Sequence, residues 1–333
     1  MRRTVSAHRD VPVAGGNLRV AVWEPGGADA AAPTVLLIHG VTASHLSWAL
    51  VADRLADVRL IAPDLRGRGR SNRIQGSAGM AAHARDLVAA LDDLGVDRVT
   101  VVGHSMGAFV ALVLGELYPD RVDRIVLVDG GLPLDLPADM PPDEVIRSVL
   151  GPTAARLSMR FASIDAYLDF WRAHPAFSRD WSPALEEYLA YDLVGTEPEL
   201  RPATSSATLE EDSLDQNTGS AIDAALAHLR HPTVLLTAER GLLDQLPALY
   251  AAERLPELLA SYPALAHSAV ADVNHYTITL SDRGADAVAA AVRAELARED
   301  RSPVANRPAR RGSRTVGDRG AVPISATSRR SSS

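Results

Sequence analysis

Apolar residues follow two different periods along this chain, and the two periods alternate. Six short runs of mainly aliphatic residues have the composition of strands buried on both faces of a parallel sheet. They lie at 34–38, 58–62, 99–102, 124–128, 233–237 and 267–273. Segments with apolar residues at helical spacing separate these runs, at about 44–55, 78–94, 108–118, 248–260 and 281–298. Alternating residues around the turn cluster Gly15-Gly16-Asn17 predict a leading β-hairpin over 5–24.

Strands that alternate with helices predict an α/β fold with a mostly parallel, eight-stranded sheet flanked by helices. The alternation stops between residues 132 and 224. This stretch shows no buried strand-like run and contains eight of the fifteen aromatic residues. Ligands of open α/β sheets bind at the carboxyl ends of the strands, where an insertion would cover them. We therefore expect a core of residues 1–131 and 225–300, with 132–224 inserted as a helical cap.

Residues 301–333 are rich in Ser, Arg, Pro and Gly and show no periodicity, which predicts a disordered basic tail. They contain eight arginines and one aspartate, a net charge of about +7. Because the whole chain has a net charge of −8, residues 1–300 have about −15. An acidic body argues against nucleic-acid binding by the main domain.

Composition excludes several kinds of chemistry. The chain has no cysteine, which rules out disulfides, a thiol nucleophile and thiolate metal sites. No apolar run is long enough to cross a membrane, and the N-terminal arginines are not followed by the apolar segment of a secretory signal. We expect a cytoplasmic monomer or homodimer that uses no cofactor or metal and has no membrane or nucleic-acid partner.

The first catalytic signal lies where the run 99–102 meets the next helix. The residues there are Gly103-His104-Ser105-Met106-Gly107. A Gly-x-Ser-x-Gly pattern between a strand and a helix is the context of a nucleophile elbow. The two glycines let the backbone bend tightly and let the helix approach the strand. Ser105 would lie at the tip of the turn, although a serine in this position can also be only a helix N-cap.

Three further motifs occur in the order that one family shows. His39-Gly40 follows the third strand, Pro63 to Ser71 (Pro-Asp-Leu-Arg-Gly-Arg-Gly-Arg-Ser) follows the fourth, and Asn274-His275 precedes the last helix. Together with the serine motif they resemble the α/β-hydrolase superfamily over about residues 5–298. The stretch after the fourth strand is similar to the capped branch that includes epoxide hydrolases and carbon–carbon hydrolases. The resemblance implies the α/β-hydrolase fold, which hosts many different reactions.

A serine hydroxyl needs a base, and the base needs an acid that orients it. The chain order that the resemblance implies is serine, acid, histidine, so we expect Ser105 as nucleophile and His275 as base. The family commonly has its acid two residues after the position of Glu239, where this chain has a glycine. Asp244, on the loop that follows, is our first choice for the acid, and Asp129 and Glu239 are the alternatives.

Attack on a carbonyl group places negative charge on its oxygen, which backbone N–H groups can stabilise. The expected donors are Met106, directly after the nucleophile, and Val41, directly after His39-Gly40. His39 resembles the family's loop histidine, which helps to hold this loop. The aromatic cluster of the predicted cap would form mainly its own core, with some members facing the substrate. The pocket candidates are His39, Trp48, Phe170 and Trp171.

These residues predict a serine hydrolase that cleaves a small apolar or aromatic ester or lactone through an acyl-enzyme. The same groups could also cleave an activated carbon–carbon bond. Serine at position 105 argues against dehalogenase or epoxide hydrolase action, because the resemblance implies aspartate at this position in those relatives. A small-molecule receptor and a cofactor-free oxygenase on the same fold are alternatives that the sequence leaves open.

Overall fold

A large central sheet dominates the computed structural model, which describes residues 2–26, 32–134, 141, 144 and 151–298. The strands are β1 (Ala7–Val13), β2 (Gly16–Trp23), β3 (Thr34–Ile38), β4 (Arg59–Pro63), β5 (Val99–His104), β6 (Val122–Val128), β7 (Leu193–Val194), β8 (Arg201–Pro202), β9 (Thr233–Arg240) and β10 (Leu265–Asn274). Eight of them form one sheet in the order β1-β2-β4-β3-β5-β6-β9-β10, and β7 pairs with β8. The predicted tail, residues 301–333, lies outside the described residues.

The direction of the strands confirms the predicted sheet. β2 pairs antiparallel with β1 and with β4, whereas every neighbouring pair from β4 to β10 in the sheet order is parallel. The carboxyl ends of β5, β6, β9 and β10 therefore meet at one edge. Side chains that follow these strands are brought together there, whatever their separation along the chain.

The helices with described bounds are α1 (Ala49–Arg54), α2 (Met80–Asp93), α3 (Met106–Leu117), α4 (Ile164–Arg172), α5 (Pro183–Tyr191), α6 (Ser206–Thr218), α7 (Ser220–Ala227), α8 (Leu255–Ala260), α9 (Thr277–Leu280) and α10 (Asp282–Leu296). The predicted helix over 248–260 is wrong in its first half, because the structure has only α8 there. Pro256 lies in the first turn of α8. Proline has no N–H to donate and clashes with the preceding turn, so it is accepted at a helix start but not in its interior.

Two hydrophobic clusters cover the two faces of the sheet. Successive strand residues point to opposite faces, and in β3 Leu36 and Ile38 join one cluster while Val35 and Leu37 join the other. Side chains of α2, α3 and α7 pack on the first face, and those of α1 and α10 pack on the second. Burial on both faces is the reason that these strands are continuously apolar.

Residues 132–224, called the cap segment below, contain α4, α5, α6, the hairpin β7–β8 and the start of α7 in their described part. The hairpin differs from the purely helical expectation, and α7 crosses the predicted boundary at residue 224. The aromatic cluster of the cap segment is packed around Phe161, Tyr167, Trp171 and Phe177. Tyr276, which follows His275, packs against this cluster, so the cap segment contacts the core beside the histidine.

Candidate active site

Ser105 lies in a sharp turn between β5 and α3. Its φ of 54° and ψ of −123° are outside the regions that a non-glycine residue ordinarily adopts. A Cβ atom on Gly103 would lie 2.2 Å from the carbonyl oxygen of Gly107, and one on Gly107 would lie 2.2 Å from that of Ile38. Both glycines are therefore needed for close approach of the backbone. This geometry agrees with the nucleophile-elbow interpretation of the motif.

The side chain of His275 joins Ser105 to Asp129. His275 Nε2 is 3.1 Å from Ser105 Oγ, and His275 Nδ1 is 2.7 Å from Asp129 Oδ2. A carboxylate only accepts hydrogen bonds, so Nδ1 carries the proton and Nε2 is free to accept the hydrogen bond of the hydroxyl. His275 and Asp129 are buried. This is the geometry that a serine nucleophile with its base and orienting acid requires.

Asp244, the first choice for the acid, does not bond His275 in the structure, which corrects that expectation; Asp129 does. Its Oδ1 is 2.6 Å from Arg240 Nε and accepts a 3.0 Å bond from Asn274 Nδ2. Its Oδ2 lies 3.4 Å from Arg179. Asp244 is drawn into an ion-pair cluster by the two arginines, and it supports the residue before His275 instead of the ring itself.

Glu239 is also turned away from the histidine. Its carboxylate accepts a hydrogen bond from the backbone N–H of Asp272, and its side chain is 54% exposed. Asp129, the alternative acid, follows β6, which is the direct neighbour of β5 in the sheet. Its Oδ1 accepts a 3.0 Å bond from the N–H of Ala238 in β9, which holds the carboxylate toward the His275 loop.

Gly130 is a functional position that sequence reasoning missed. A Cβ atom there would lie 2.3 Å from the carbonyl oxygen of Ser105. The glycine therefore lets Asp129 approach the elbow closely. The signal in the sequence was the pair Gly130-Gly131 directly after the acidic residue that ends a predicted strand.

The loop after β3 lies directly against Ser105. A Cβ on Gly40 would be 3.1 Å from Ser105 Cβ, so Val41 follows the residue that touches the elbow. Met106 is the first residue of α3, and its N–H has no acceptor within the helix. The two predicted oxyanion donors are thus the residue after Ser105 and the residue after Gly40, which contacts Ser105.

His39 holds this loop and does not line an accessible pocket, which corrects one of the pocket assignments. Nδ1–H donates to the carbonyl of Gly40 (2.7 Å), and Nε2 accepts from the N–H of Leu65 (2.9 Å). The side chain is fully buried. Burial lowers the pKa of His39 to about 4, so the ring is neutral at pH 7 and keeps this tautomer.

The other predicted pocket residues lie in two different places. Trp48 is fully buried in the core cluster on the second sheet face, which does not support a place in an open pocket. Trp171 is buried in the cap cluster, and the partly exposed Phe170 packs beside it. The Trp171 ring is 6.3 Å from that of Tyr276, whose ring is 5.8 Å from His275. Tyr276 therefore lies between Trp171 and His275.

His104 supports the loop that contains His275. Its Nε2–H donates to the backbone carbonyl of His275 over 2.9 Å, and the two rings are 4.9 Å apart. Burial, together with the neighbouring His275 ring, lowers the pKa of His104 well below its usual value, so its ring is neutral. His104 therefore has a structural role and holds the loop that contains His275.

The described residues contain no group of three or more His, Asp or Glu side chains arranged to hold a metal ion. None of the helices within the described ranges has the length and apolar character needed to cross a bilayer.

A family model for the alpha/beta hydrolase fold matches residues 33–277, which include Ser105, Asp129 and His275. The chain belongs to the α/β-hydrolase family. The structural likeness agrees: the solved E-2-(acetamidomethylene)succinate hydrolase superposes with a TM-score of 0.69, covering 87% of this chain and 98% of that one at 21% identity. At this identity the likeness shows the α/β-hydrolase fold alone.

The curated relatives of this α/β-hydrolase include several bacterial proteins. Uncharacterised proteins of Mycobacterium tuberculosis are 42% identical over 103 residues, a match that spans 29% of their length. Epoxide hydrolase A of the same organism is 36% identical over 43% of this chain and 44% of its own. The putative carbamate hydrolase RutD of a Caulobacter species is 32% identical over 70% of this chain and 81% of its own. The family and these relatives support a hydrolase.

Proposed function

We propose that this hydrolase cleaves carboxylic esters or lactones through an acyl-enzyme on Ser105. The observation that carries the proposal is the continuous relay of hydrogen bonds from Ser105 through His275 to Asp129, with distances of 3.1 and 2.7 Å. A hydroxyl is a poor nucleophile at neutral pH and is activated by a base in hydrogen-bond contact. Asp129 keeps the ring in the tautomer that leaves Nε2 free.

In the first half of the reaction, Ser105 Oγ attacks the carbonyl carbon while His275 Nε2 takes the hydroxyl proton. The carbonyl oxygen becomes an oxyanion, which accepts hydrogen bonds from the N–H groups of Val41 and Met106. Each such donor contributes about 3 kcal/mol to transition-state stabilisation in comparable sites. His275 then returns its proton to the leaving alkoxide, and the alcohol departs.

In the second half, water replaces the alcohol. His275 takes a proton from the water as its oxygen attacks the acyl carbon, and the second tetrahedral intermediate uses the same two N–H donors. Collapse of this intermediate breaks the bond to Ser105 Oγ, which regains its proton from His275. The products are the carboxylic acid and the free enzyme.

The acyl or alkoxy group is proposed to be apolar. The aromatic cluster of the cap segment extends to Tyr276, whose ring is 5.8 Å from that of the base. Aromatic side chains with a few convergent polar groups are typical linings of small-ligand sites. The printed name of the Caulobacter relative adds a carbamate to the substrates worth testing.

A fluorophosphonate probe followed by peptide mass spectrometry tests the nucleophile. We expect one modified residue, Ser105, and no labelling of Ser105→Ala. Turnover is then measured on p-nitrophenyl esters of increasing chain length, on lactones and on a carbamate, with Ser105→Ala as the control.

Three results would overturn the proposal. Wild-type protein that resists labelling has no activated serine. Protein that is labelled but turns over none of these substrates, and binds an apolar ligand saturably, is a receptor. Oxygen consumption with an aromatic substrate in place of hydrolysis would instead identify the oxygenase.

A further inference from the structure

A surface cleft lies between the core and the cap segment, at a distance from Ser105. It encloses about 620 Å³ and is lined by Arg19 of β2, Arg70 and Arg73 of the loop after β4, and Arg201 of β8. None of its lining residues in the described part of the chain is Asp or Glu. β2 is three strands from β5 in the sheet order, or about 14 Å at the usual strand spacing. We call this surface the arginine cleft.

The four guanidinium groups are not equally neutralised. Arg19 forms a two-point ion pair with Asp10, at 2.6 and 3.0 Å. Arg70 stacks on the ring of Tyr191, with its guanidinium carbon 4.2 Å from the ring centre. Arg73 and Arg201 are exposed and have no ion-pair partner among the described residues.

Two further features favour an anion in this cleft. Ser205, which also lines it, is the N-cap of α6, and the positive end of that 13-residue helix therefore lies at the cleft wall. The cleft also contrasts in charge with the rest of the protein, since residues 1–300 have a net charge of about −15. Four arginines line the cleft, and Arg19 alone among them has an ion-pair partner in the described residues, so on this acidic body they form a local positive field that attracts anions.

We propose that the arginine cleft binds an organic anion bearing phosphoryl groups. Guanidinium groups bind phosphoryl oxygens through two parallel hydrogen bonds, which gives both charge and shape recognition. The volume is within the range of small-ligand sites and exceeds what a single inorganic phosphate needs. This binding does not depend on the proposed ester chemistry, since Ser105 is at a different part of the sheet edge.

Calorimetric titration with inorganic pyrophosphate tests the cleft directly. We expect saturable binding to wild-type protein and to Ser105→Ala alike, weakening as salt is raised. The double variant Arg73→Glu/Arg201→Glu should bind at least about tenfold more weakly, since two of the four cations become anions. Arg85→Glu/Arg160→Glu, at two exposed arginines outside the cleft, is the matched control for charge.

Absence of saturable binding by wild-type protein, or equal affinity in the double variant, would overturn the proposal. Binding together with competitive inhibition of ester turnover would identify the anion as part of the substrate. Binding without any effect on turnover would identify a separate small-molecule ligand. Both substituted side chains are exposed, so the variants are expected to fold, and circular dichroism checks this.

A second, independent observation concerns Arg68, which is completely buried. Its Nε–H donates to the backbone carbonyl of Val41 over 2.7 Å, and its Nη2 lies 3.9 Å from Met106 Sδ. One guanidinium thus touches both residues whose N–H groups are the proposed oxyanion donors. Its Nη1 also donates to the carbonyl of Arg66 (3.0 Å) and to Asp212 of α6.

Asp212 anchors this arginine from the cap segment. The carboxylate is fully buried and also accepts bonds from the N–H of Gly79 (2.7 Å) and from His83 Nε2 (3.0 Å). Burial raises the pKa of Asp212, but Arg68 and His83 outweigh this and hold it well below its usual value. The carboxylate is therefore ionised throughout the neutral range and keeps the guanidinium in one orientation.

We infer that Arg68, held by Asp212, is a positioning residue for the oxyanion hole and links it to the cap segment. This inference rests on the proposed function. Lysine at position 68 keeps the charge but has no planar fork to reach Val41, Arg66 and Asp212 together. Loosening the loop would move the donors away from the developing oxyanion.

Arg68→Lys is expected to lower kcat by about tenfold or more, with kcat calculated per site that a fluorophosphonate labels. KM should change little, because the two N–H donors act mainly in the transition state. Arg66→Lys is the matched control: Arg66 is buried in the same loop and pairs with Asp86, away from the elbow. Asp212→Asn should change kcat in the same direction as Arg68→Lys.

Hydrogen exchange gives a readout that does not need turnover. Peptides that contain Val41 and Met106 should exchange faster in Arg68→Lys than in Arg66→Lys at equal global stability. Unchanged kcat and unchanged exchange would contradict the inference. If the wild type shows no ester turnover but Arg68→Lys still exchanges faster than Arg66→Lys, the positioning role of Arg68 stands and the proposed ester hydrolysis is wrong.

Discussion

Asp129 and Asp244 are two aspartates near the same histidine, and their partners separate their roles. Both have a positive φ, 46° and 60°, in loops after neighbouring strands. Asp244 is bonded by Arg240 and by Asn274. Burial raises the pKa of Asp244, but Asn274 and Arg240 outweigh this effect and keep the pKa below its ordinary value. Asp129 has no arginine among its hydrogen-bond partners in the described residues, so its carboxylate is available to His275.

Exchange of each acid for its amide distinguishes these roles. Asp129→Asn should lower kcat by about 10⁴, because an amide stabilises the wrong tautomer of the histidine. Asp244→Asn should lower it less than about tenfold, since it alters only the support of Asn274. Steady-state kinetics on a p-nitrophenyl ester measures both, with folding checked by circular dichroism. A larger effect of Asp244→Asn than of Asp129→Asn would reverse the assignment.

The buried histidines predict how stability depends on pH. The pKa of His39 is about 4 in the folded protein, whereas a histidine in an unfolded chain has about 6.5. The unfolded state therefore binds more protons between these values, and the free energy of unfolding falls as pH drops from about 6.5 to about 4. The contribution per histidine is at most about 1.4 kcal/mol per pH unit.

Urea denaturation at pH 7, 6 and 5 measures this slope. His104 and His174 have lowered pKa values as well and add to it. His39→Gln preserves a donor and an acceptor in the loop but removes one titrating group, so its slope should be shallower than that of the wild type. An identical slope in the two proteins would contradict the assignment to His39.

At the scale of elements, the candidate site depends on the close approach of three backbone segments. The elbow between β5 and α3 rests on the loop after β3 on one side and on Gly130 after β6 on the other. A close fit of this kind tolerates no added side chain, since even one methyl group would displace the strand ends.

Gly130→Ala tests this contact. The new Cβ would meet the carbonyl oxygen of Ser105 at 2.3 Å, so the elbow must shift, and a misplacement of about 1 Å lowers turnover by about a hundredfold. Gly26→Ala is the control, because the nearest atom to its Cβ is 3.8 Å away. Turnover measured per folded molecule should fall in the first variant only; equal activities would show that the elbow adapts.

At the scale of the whole molecule, residues Met1–Ala297 form one unit, so the cap segment and the core are continuous. The cap cluster includes Leu280 from the core and packs against Tyr276. Asn274 also donates to the carbonyl of Ala176 in the cap segment over 2.8 Å. We therefore expect the cap segment and the core to unfold in one cooperative transition.

Phe177→Ala tests this coupling. Phe177 is buried at the centre of the contact, 5.6 Å from the Trp171 ring and 5.4 Å from the Tyr276 ring. Its loss should reduce the free energy of unfolding by about 3–5 kcal/mol. Urea transitions followed by tryptophan fluorescence and by far-ultraviolet dichroism should shift together. A separate early transition in fluorescence would show that the cap segment unfolds by itself.

The sequence alone determined the sheet, the elbow turn and the histidine proposed as the base. An apolar run and a helical spacing can each be recognised within one contiguous segment. The apolar runs of β3, β5 and β6, separated by helical segments, were therefore sufficient to predict a parallel sheet. The glycines around Ser105 and the position of His275 after the last strand are equally local signals. They singled out Ser105 and His275 as the proposed nucleophile and base before any contact was known.

Only the tertiary structure decided which acid meets the base, and which residues support the oxyanion loop. Asp129 and His275 are 146 residues apart, and Arg68 and Asp212 are 144 apart. No local pattern reports whether a carboxylate is already bonded by an arginine, as Asp244 is by Arg240. Whether a carboxylate bonds an arginine or the histidine depends on the order of strands in the sheet and on the side chains that meet at its edge.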